Sequence, residues 1–392
     1  MGGPQRVTAG FVAAMALAMG AGPLLTHGLT AMSPTLVAEL GLSRTQFGSF
    51  ATTTFLAAAL SSGLVGRLVD RVHERTTMFL LFAGSAAVLW LAAAAQSYAW
   101  LLVAVVLSGL VQALSNPVTN RLISGHVPLH QRGTVMGVKQ AGVQMAQAFA
   151  GLLLPALALV AGWRGSLAAA SVFVLAGLGL AAARIPAGGN GPDVRGTERP
   201  AGRTTLPAAV WWLAVYAFLS GFALQSVNVY LPLYGYEALG LASTTAGALT
   251  AVVGGVGLVS RIAWGRVVNR TDAPRAVLLV MAAGATAGGV LVLLAEPLWG
   301  GLVWVGAAVV GATGLATNVV LMVVVLRVVP AELVGRATGA LAVGLYLGFA
   351  AGPVTVGAVV DATGEYRLGW SVALASFVVA GLLALLRRRW VP

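Results

Sequence analysis

Apolar runs of about twenty residues recur along the whole chain, separated by short segments in which arginine is the dominant charged residue. They lie near residues 9–30, 46–66, 76–95, 99–121, 133–160, 165–184, 209–231, 244–265, 275–294, 298–325, 335–360 and 368–386. Each is long enough to cross the hydrocarbon core of a bilayer. Only 9% of residues are charged and 58% are hydrophobic, whereas soluble domains carry about 25% charged residues. Lipid must therefore be the solvent for most of the surface. A chain in lipid must satisfy its backbone polar groups internally, which leaves helices for runs of this kind. The expectation is an all-α membrane protein with twelve transmembrane helices. The 51 glycines suit close helix packing. With no cysteine, neither disulfides nor thiol chemistry enters. The opening "MGGPQRVTAGFVAAMALAMGAG" reads as the first span rather than a cleaved signal peptide, since its apolar run has no clear end.

The net charge of +12 would suggest nucleic acid in a soluble protein; here topology accounts for it without such a partner. With both termini cytoplasmic, the inner segments hold Arg6; Arg67, Arg71 and Arg75; Arg121 and Arg132; Arg184, Arg195, Arg199 and Arg203; Arg266, Arg270 and Arg275; Arg327 and Arg336; and Arg387, Arg388 and Arg389. The outer loops hold only Arg44, Arg164 and Arg367. This asymmetry sets the orientation of a multi-pass protein in the cell membrane.

The segment "RIPAGGNGPDVRGTERPAGRTTLP" lacks apolar periodicity and reads as a flexible cytoplasmic linker. It divides the chain into a six-helix bundle at 1–184, a linker at 185–206 and a second bundle at 207–392. The two halves repeat. Leu40, Gly41, Leu42, Thr45 and Gly48 recur 199 positions later, in "LGLASTTAG". Gly109, Asn116, Pro128, Gly133 and Gly137 recur 202 positions later as Gly311, Asn318, Pro330, Gly335 and Gly339. Two such halves with a solute site between them, near the midplane, is a transporter design.

Between the second and third runs lies "GRLVDRVHERT". Gly66 permits a close helix approach, and Asp70, Arg71 and Arg75 can form a charge cluster that latches one helix against another and releases it. Charged loops also serve solubility and topology alone. Gly66, Asp70, Arg71 and Arg75 resemble the loop 2–3 signature of the major facilitator superfamily. His73 and Glu74 stand where that family usually has Gly and Arg, and "GRVVNR" echoes the motif in the second half with Asn269 for the acid. The resemblance, with twelve spans, repeated halves and a central linker, implies a 6+6 helical fold working by alternating access.

No acidic residue falls clearly inside a span. A carrier of cations would want a buried carboxylate. "RGTVMGVKQAGVQMAQAFAG" offers the opposite charge. Gln140, Gln144 and Gln147 share one helical face, and Lys139 lies roughly 10 Å into the span beyond Arg132. Facing lipid, Lys139 would snorkel back to the surface; facing a cavity, it supplies positive charge for an anion. The glutamines line a path or bond between helices. Gln112, Asn116, Thr119 and Asn120 form a second stripe, interrupted by Pro117, with Arg121 beyond it as a topology anchor or a path residue. His27 is the in-span group able to change charge near neutral pH and is the proton-coupling candidate, or else a packing residue. In the second half Gln225, Asn228, Tyr230, Thr313, Asn318 and Tyr346 can complete the cavity. Arg261, one turn before Gly265, reads as structural. "GFAAGPVTVG" puts a Gly-Pro pair in span eleven, whereas drug–proton antiporters of the superfamily carry theirs in span five; the fifth span here lacks one. "MGVKQAGVQ" is similar to cyanate-permease-like and organic-anion members.

A P-loop, HExxH or cysteine–histidine cluster is missing, so the expectation is a non-enzyme without metal or cofactor. The leading expectation is a monomeric secondary transporter of a small anionic solute, taken up with protons. The rivals are a multidrug or metabolite exporter of the same fold and a non-transporting membrane sensor.

Overall fold

The structure is a computed structural model that describes residues 8–185 and 205–386. Most of the linker, Arg6 and the arginines at 387–389 lie outside the described residues. Regular structure among the described residues is entirely helical. The helices are α1 (Ala9–Ala21), α2 (Leu24–Ala31), α3 (Ser33–Leu40), α4 (Arg44–Arg71), α5 (Glu74–Ala93), α6 (Tyr98–His126), α7 (Leu129–Arg184), α8 (Ala208–Glu237), α9 (Ser243–Arg270), α10 (Pro274–Ala295), α11 (Leu302–Thr313), α12 (Thr317–Val328), α13 (Val334–Thr363) and α14 (Tyr366–Leu386).

Twelve membrane crossings follow among the described residues, with three departures from uniform spans. The first span bends by 56° between α1 and α2, where Pro23 follows Gly22 and has no N–H to continue the ladder. Helix then continues through α3, across residues read as loop from the sequence. The fifth and sixth spans both lie in α7, which reverses at Gly162 (φ 65°, ψ 170°). Ser166 Oγ donates to the Leu154 carbonyl at 3.0 Å; twelve residues of straight helix would separate them by roughly 18 Å, so the two arms run back to back. The tenth span breaks between α11 and α12.

The repeat is visible in the packing. Gly41 and Gly240, related by the 199-residue shift, both turn the chain with positive φ, 60° and 65°. Gly109 lies against the Thr54 carbonyl, and Gly311 against the Val253 carbonyl; a Cβ there would stand 2.3 and 2.7 Å from those oxygens. Helices α1 to α7 pack chiefly among themselves, as do α8 to α14, and the two sets meet along two principal seams, α4 with α13 and α7 with α9. Gly48 sits in the first seam, and its repeat equivalent Gly247 in the second, against Pro155.

Arginines finish the helix ends inside each set. Arg121 donates to the carbonyls of Val69 and Val72 at the end of α4, and Arg327 to those of Val268 and Thr271 at the end of α9. Arg75 reaches the Ala182 carbonyl at the end of α7, and Arg275 the Ala384 and Leu385 carbonyls at the end of α14. The last carbonyls of a helix have no partner within it, so such clamps supply what the helix cannot.

Candidate solute path

Lys139 on α7, the first candidate for the path, is buried, 1% exposed. It does not face lipid. Its Nζ donates to Thr119 Oγ1 at 3.0 Å, to Asn116 Oδ1 at 3.3 Å and to Asn120 Oδ1. All three acceptors come from α6, where positions 116, 119 and 120 fall on one helical face. Thr119 Oγ1 in turn donates to the Ser115 carbonyl. No carboxylate pairs with Lys139 among the described residues.

The glutamine stripe continues from it. Gln140 Nε2 donates to Asn116 Oδ1 at 3.4 Å. Gln144 is buried; with its amide oxygen turned to the donor beside it, it accepts from Arg261 Nη2 at 3.3 Å while its nitrogen donates to the Gln140 carbonyl at 3.1 Å. Gln147, also buried, donates to Asn228 Oδ1 at 3.3 Å and so joins α7 to α8. Arg261, read from sequence as structural, thus belongs to the polar line. Its Nε donates to the Leu315 carbonyl at 3.2 Å, and among the described residues it too has no carboxylate partner. Asking which residue faces it across α7, rather than how near it lies to Gly265, could have found it. Gln225 is buried and Asn318 half-buried. His27 Nε2, Gln112 Oε1, Thr26 Oγ1 and Thr250 Oγ1 are buried with no hydrogen-bond partner.

At the end marked by Arg44 the path is shut. Asp361 of α13 accepts from the backbone N–H groups of Arg44 and Thr45, each at 2.8 Å, and from Thr45 Oγ1. It caps the first turn of α4, where exposed N–H groups favour an anion. Arg44 Nη2 pairs with Glu237 at 2.8 Å, and Tyr366 donates to the same carboxylate at 2.6 Å. Deeper in, Thr52 Oγ1 donates to the Ala350 carbonyl, and Phe55 packs with Tyr346 and Phe349. Tyr230 is fully buried, and its hydroxyl donates to the carbonyls of Arg44 and Pro353. Two residues expected to complete the cavity, Tyr230 and Tyr346, therefore sit in this seam instead. A cavity of about 860 Å³ lies beside the lock, lined by Arg44, Glu237, Asp361 and Tyr366 among others.

At the opposite end, marked by Arg71, the two helix sets stand apart. A Cβ added at Gly66, Gly133, Gly137, Gly335 or Gly339 would meet nothing within 4 Å. The close approach expected at Gly66 is absent. Asp70 and Arg71 are exposed, and Asp70 makes no ion pair among the described residues. Arg75, expected in the gate, is used as a helix clamp, and Arg121, expected as a topology anchor or a path residue, as another. The buried acid at this end is Glu74, 2% exposed, whose carboxylate lies 3.5 Å from Arg121 Nε and 3.8 Å from His126 Nδ1. Glu74 departs from the loop signature, and that departure was the signal for it.

Two helix sets, a buried polar line between them, one end locked and the other parted: this is the architecture of a multi-pass membrane transporter, not an enzyme. The chain belongs to the Major Facilitator Superfamily, whose model matches residues 7–353. It is 30% identical over 135 residues to an uncharacterized MFS-type transporter of Mycobacterium tuberculosis, 34% of this chain and 30% of that one. It is 26% identical over 144 residues to the hexuronate transporter of Bacillus subtilis, 35% of this chain and 33% of that one. The matches thus span about a third of those relatives. Among solved structures, a bacterial homolog of the human lysosomal transporter Spinster, inward-facing and occupied, superposes with a TM-score of 0.78 at 16% identity, over 98% of this chain and 97% of that chain. A mutant of the nucleoside transporter NupG gives 0.77 at 13% identity, over 96% and 100%. These likenesses concern the fold.

Proposed function

We propose that this protein carries a small anionic solute across the cell membrane by alternating access, in the uptake direction and with protons. The observation that carries the reading is Lys139: a buried ammonium held only by neutral oxygens, with no carboxylate beside it. An unpaired charge in a membrane interior is costly, and a solute anion is the partner that lowers the cost. The amides of Asn116, Gln140, Gln144 and Asn228 would orient it. The orphaned polar atoms of Thr26, Gln112 and Thr250 would take its hydroxyls. The hexuronate transporter named above fits a carboxylate that carries hydroxyls. His27, with its free ring nitrogen, is the candidate for coupled protonation.

In this reading residues 1–184 and 207–392 rock as two bodies joined by the linker 185–206, and the protein acts as a monomer. The Arg71 end is cytoplasmic by its arginines, so the state described here opens inward. Asp70 and Arg71 engage when that end closes.

The test is flux in proteoliposomes with radiolabelled glucuronate, lactate and cyanate under an inward proton gradient. Accumulation of one of them that collapses with a protonophore, and is lost in Lys139→Ala, is the expected result. Wild-type uptake by Lys139→Ala with unchanged apparent affinity sinks the role of Lys139. Movement of a cationic dye with no anion flux sinks the anion reading.

A further inference from the structure

The polar line between the two helix sets contains two cations and no acid. Lys139 stands at one end of it, on α7. Arg261 stands at the other, on α9. Asn116, Gln140 and Gln144 connect them by hydrogen bonds of 3.1 to 3.4 Å. Every group between them is neutral. Neither cation pairs with a carboxylate among the described residues; Glu74, the buried acid at the start of α5, lies against Arg121 and His126.

We infer that the protein is foremost an anion exchanger: it reorients readily with an anion bound and slowly when empty. This rests on the anion reading above. To change sides, the open end must close around the path before the locked end parts. In that closed passage water is excluded from both ends: Lys139 is buried already, and Arg261, half-buried now, loses the solvent that reaches it. With an anion between them the passage carries a compensated charge. Without one, two cations share a closed interior with nothing to offset them, and charge burial without a partner raises the barrier. The cations lie on helices of opposite sets, so the same anion also draws the parted end together. One anion goes in and one of the same charge comes out, and the exchange moves no net charge. Net uptake, whatever gradient drives it, has to wait for the empty return.

The experiment compares initial uptake of the best-transported labelled anion of the panel into proteoliposomes preloaded with the same unlabelled anion and into liposomes without it. Preloading is expected to speed uptake about tenfold or more, a barrier difference of about 1.4 kcal/mol, and the exchange is expected to ignore a potassium–valinomycin potential. Arg261→Gln removes one of the two cations and is expected to narrow the ratio by raising the net rate. Equal rates with and without preloading overturn the exchange inference and leave the anion site standing. No flux of any panel anion in either preparation overturns the anion reading beneath it. The wild-type ratio decides the question even if Arg261→Gln does not fold.

Discussion

Asp361 shows what one side chain does at the seam between the two helix sets. It gives its carboxylate to the first two amides of α4 and to Thr45, from a helix of the other set. Asp361→Asn keeps the shape and removes the charge that suits a helix N-terminus, a loss of about 1 kcal/mol. The locked end should part more often. In this cysteine-free chain an Ala51→Cys reporter, buried behind the lock, should then react faster with a water-soluble maleimide; an unchanged rate would mean that Asp361 does not hold the seam. The same scale marks how far sequence reading goes. The spacing of Gln140, Gln144 and Gln147 put them beside Lys139 on a polar surface, because helical periodicity is a local property. Arg121, Arg75 and Tyr230 were read as path or gate residues, yet each spends its hydrogen bonds on carbonyls at helix ends or in a seam. Those acceptors lie up to 186 residues away, and no local pattern carries that information.

At the scale of the element, the turn within α7 rests on one residue. Gly162 adopts a conformation that is open to glycine and strained for anything with a Cβ, at a cost of roughly 1–3 kcal/mol. Gly162→Ala should lower the unfolding temperature of the purified protein in detergent, although a Cβ there would touch nothing; an unchanged melting curve would show that the reversal does not depend on glycine. The sequence showed two apolar runs here but not how tightly they join. It likewise missed the break at Pro23, since a proline within an apolar run marks a kink without giving its angle. The repeat was the most informative long-range signal. Its paired glycines occupy paired contacts, Gly48 with Gly247 and Gly109 with Gly311, which the constant shift already implied.

For the whole molecule, the two ends differ in how their glycines are used. Gly133, Gly137, Gln140 and Gln144 fall on one helical face, as do Gly339 and Tyr346 on α13. The glycines at the parted end therefore share the faces that carry the polar and seam residues, and they leave room for a close approach that the present state does not make. Gly339→Phe should abolish transport while leaving the unfolding temperature within a degree or two, since nothing lies near that position now. Retained transport would mean that α13 does not come close to α4 at this end. Gly247→Leu should act on the other end: a side chain there meets Pro155 and the Ala31 carbonyl. It should hold that end open, giving fast maleimide labelling of a reporter near Thr250, and slow labelling would count against the seam.

The lock at the Arg44 end has one further consequence. Its outer layer, the contacts of Asp361, Arg44, Glu237 and Tyr366, is made of carboxylates, hydroxyls, a guanidinium and backbone amides near the surface. When such a seam opens, the vestibule that replaces it fills with water, and each separated group can trade its protein partner for a water molecule of nearly equal worth. The lock can be firm when closed and still cheap to undo, because the solvent itself takes over the bonds that the helices release.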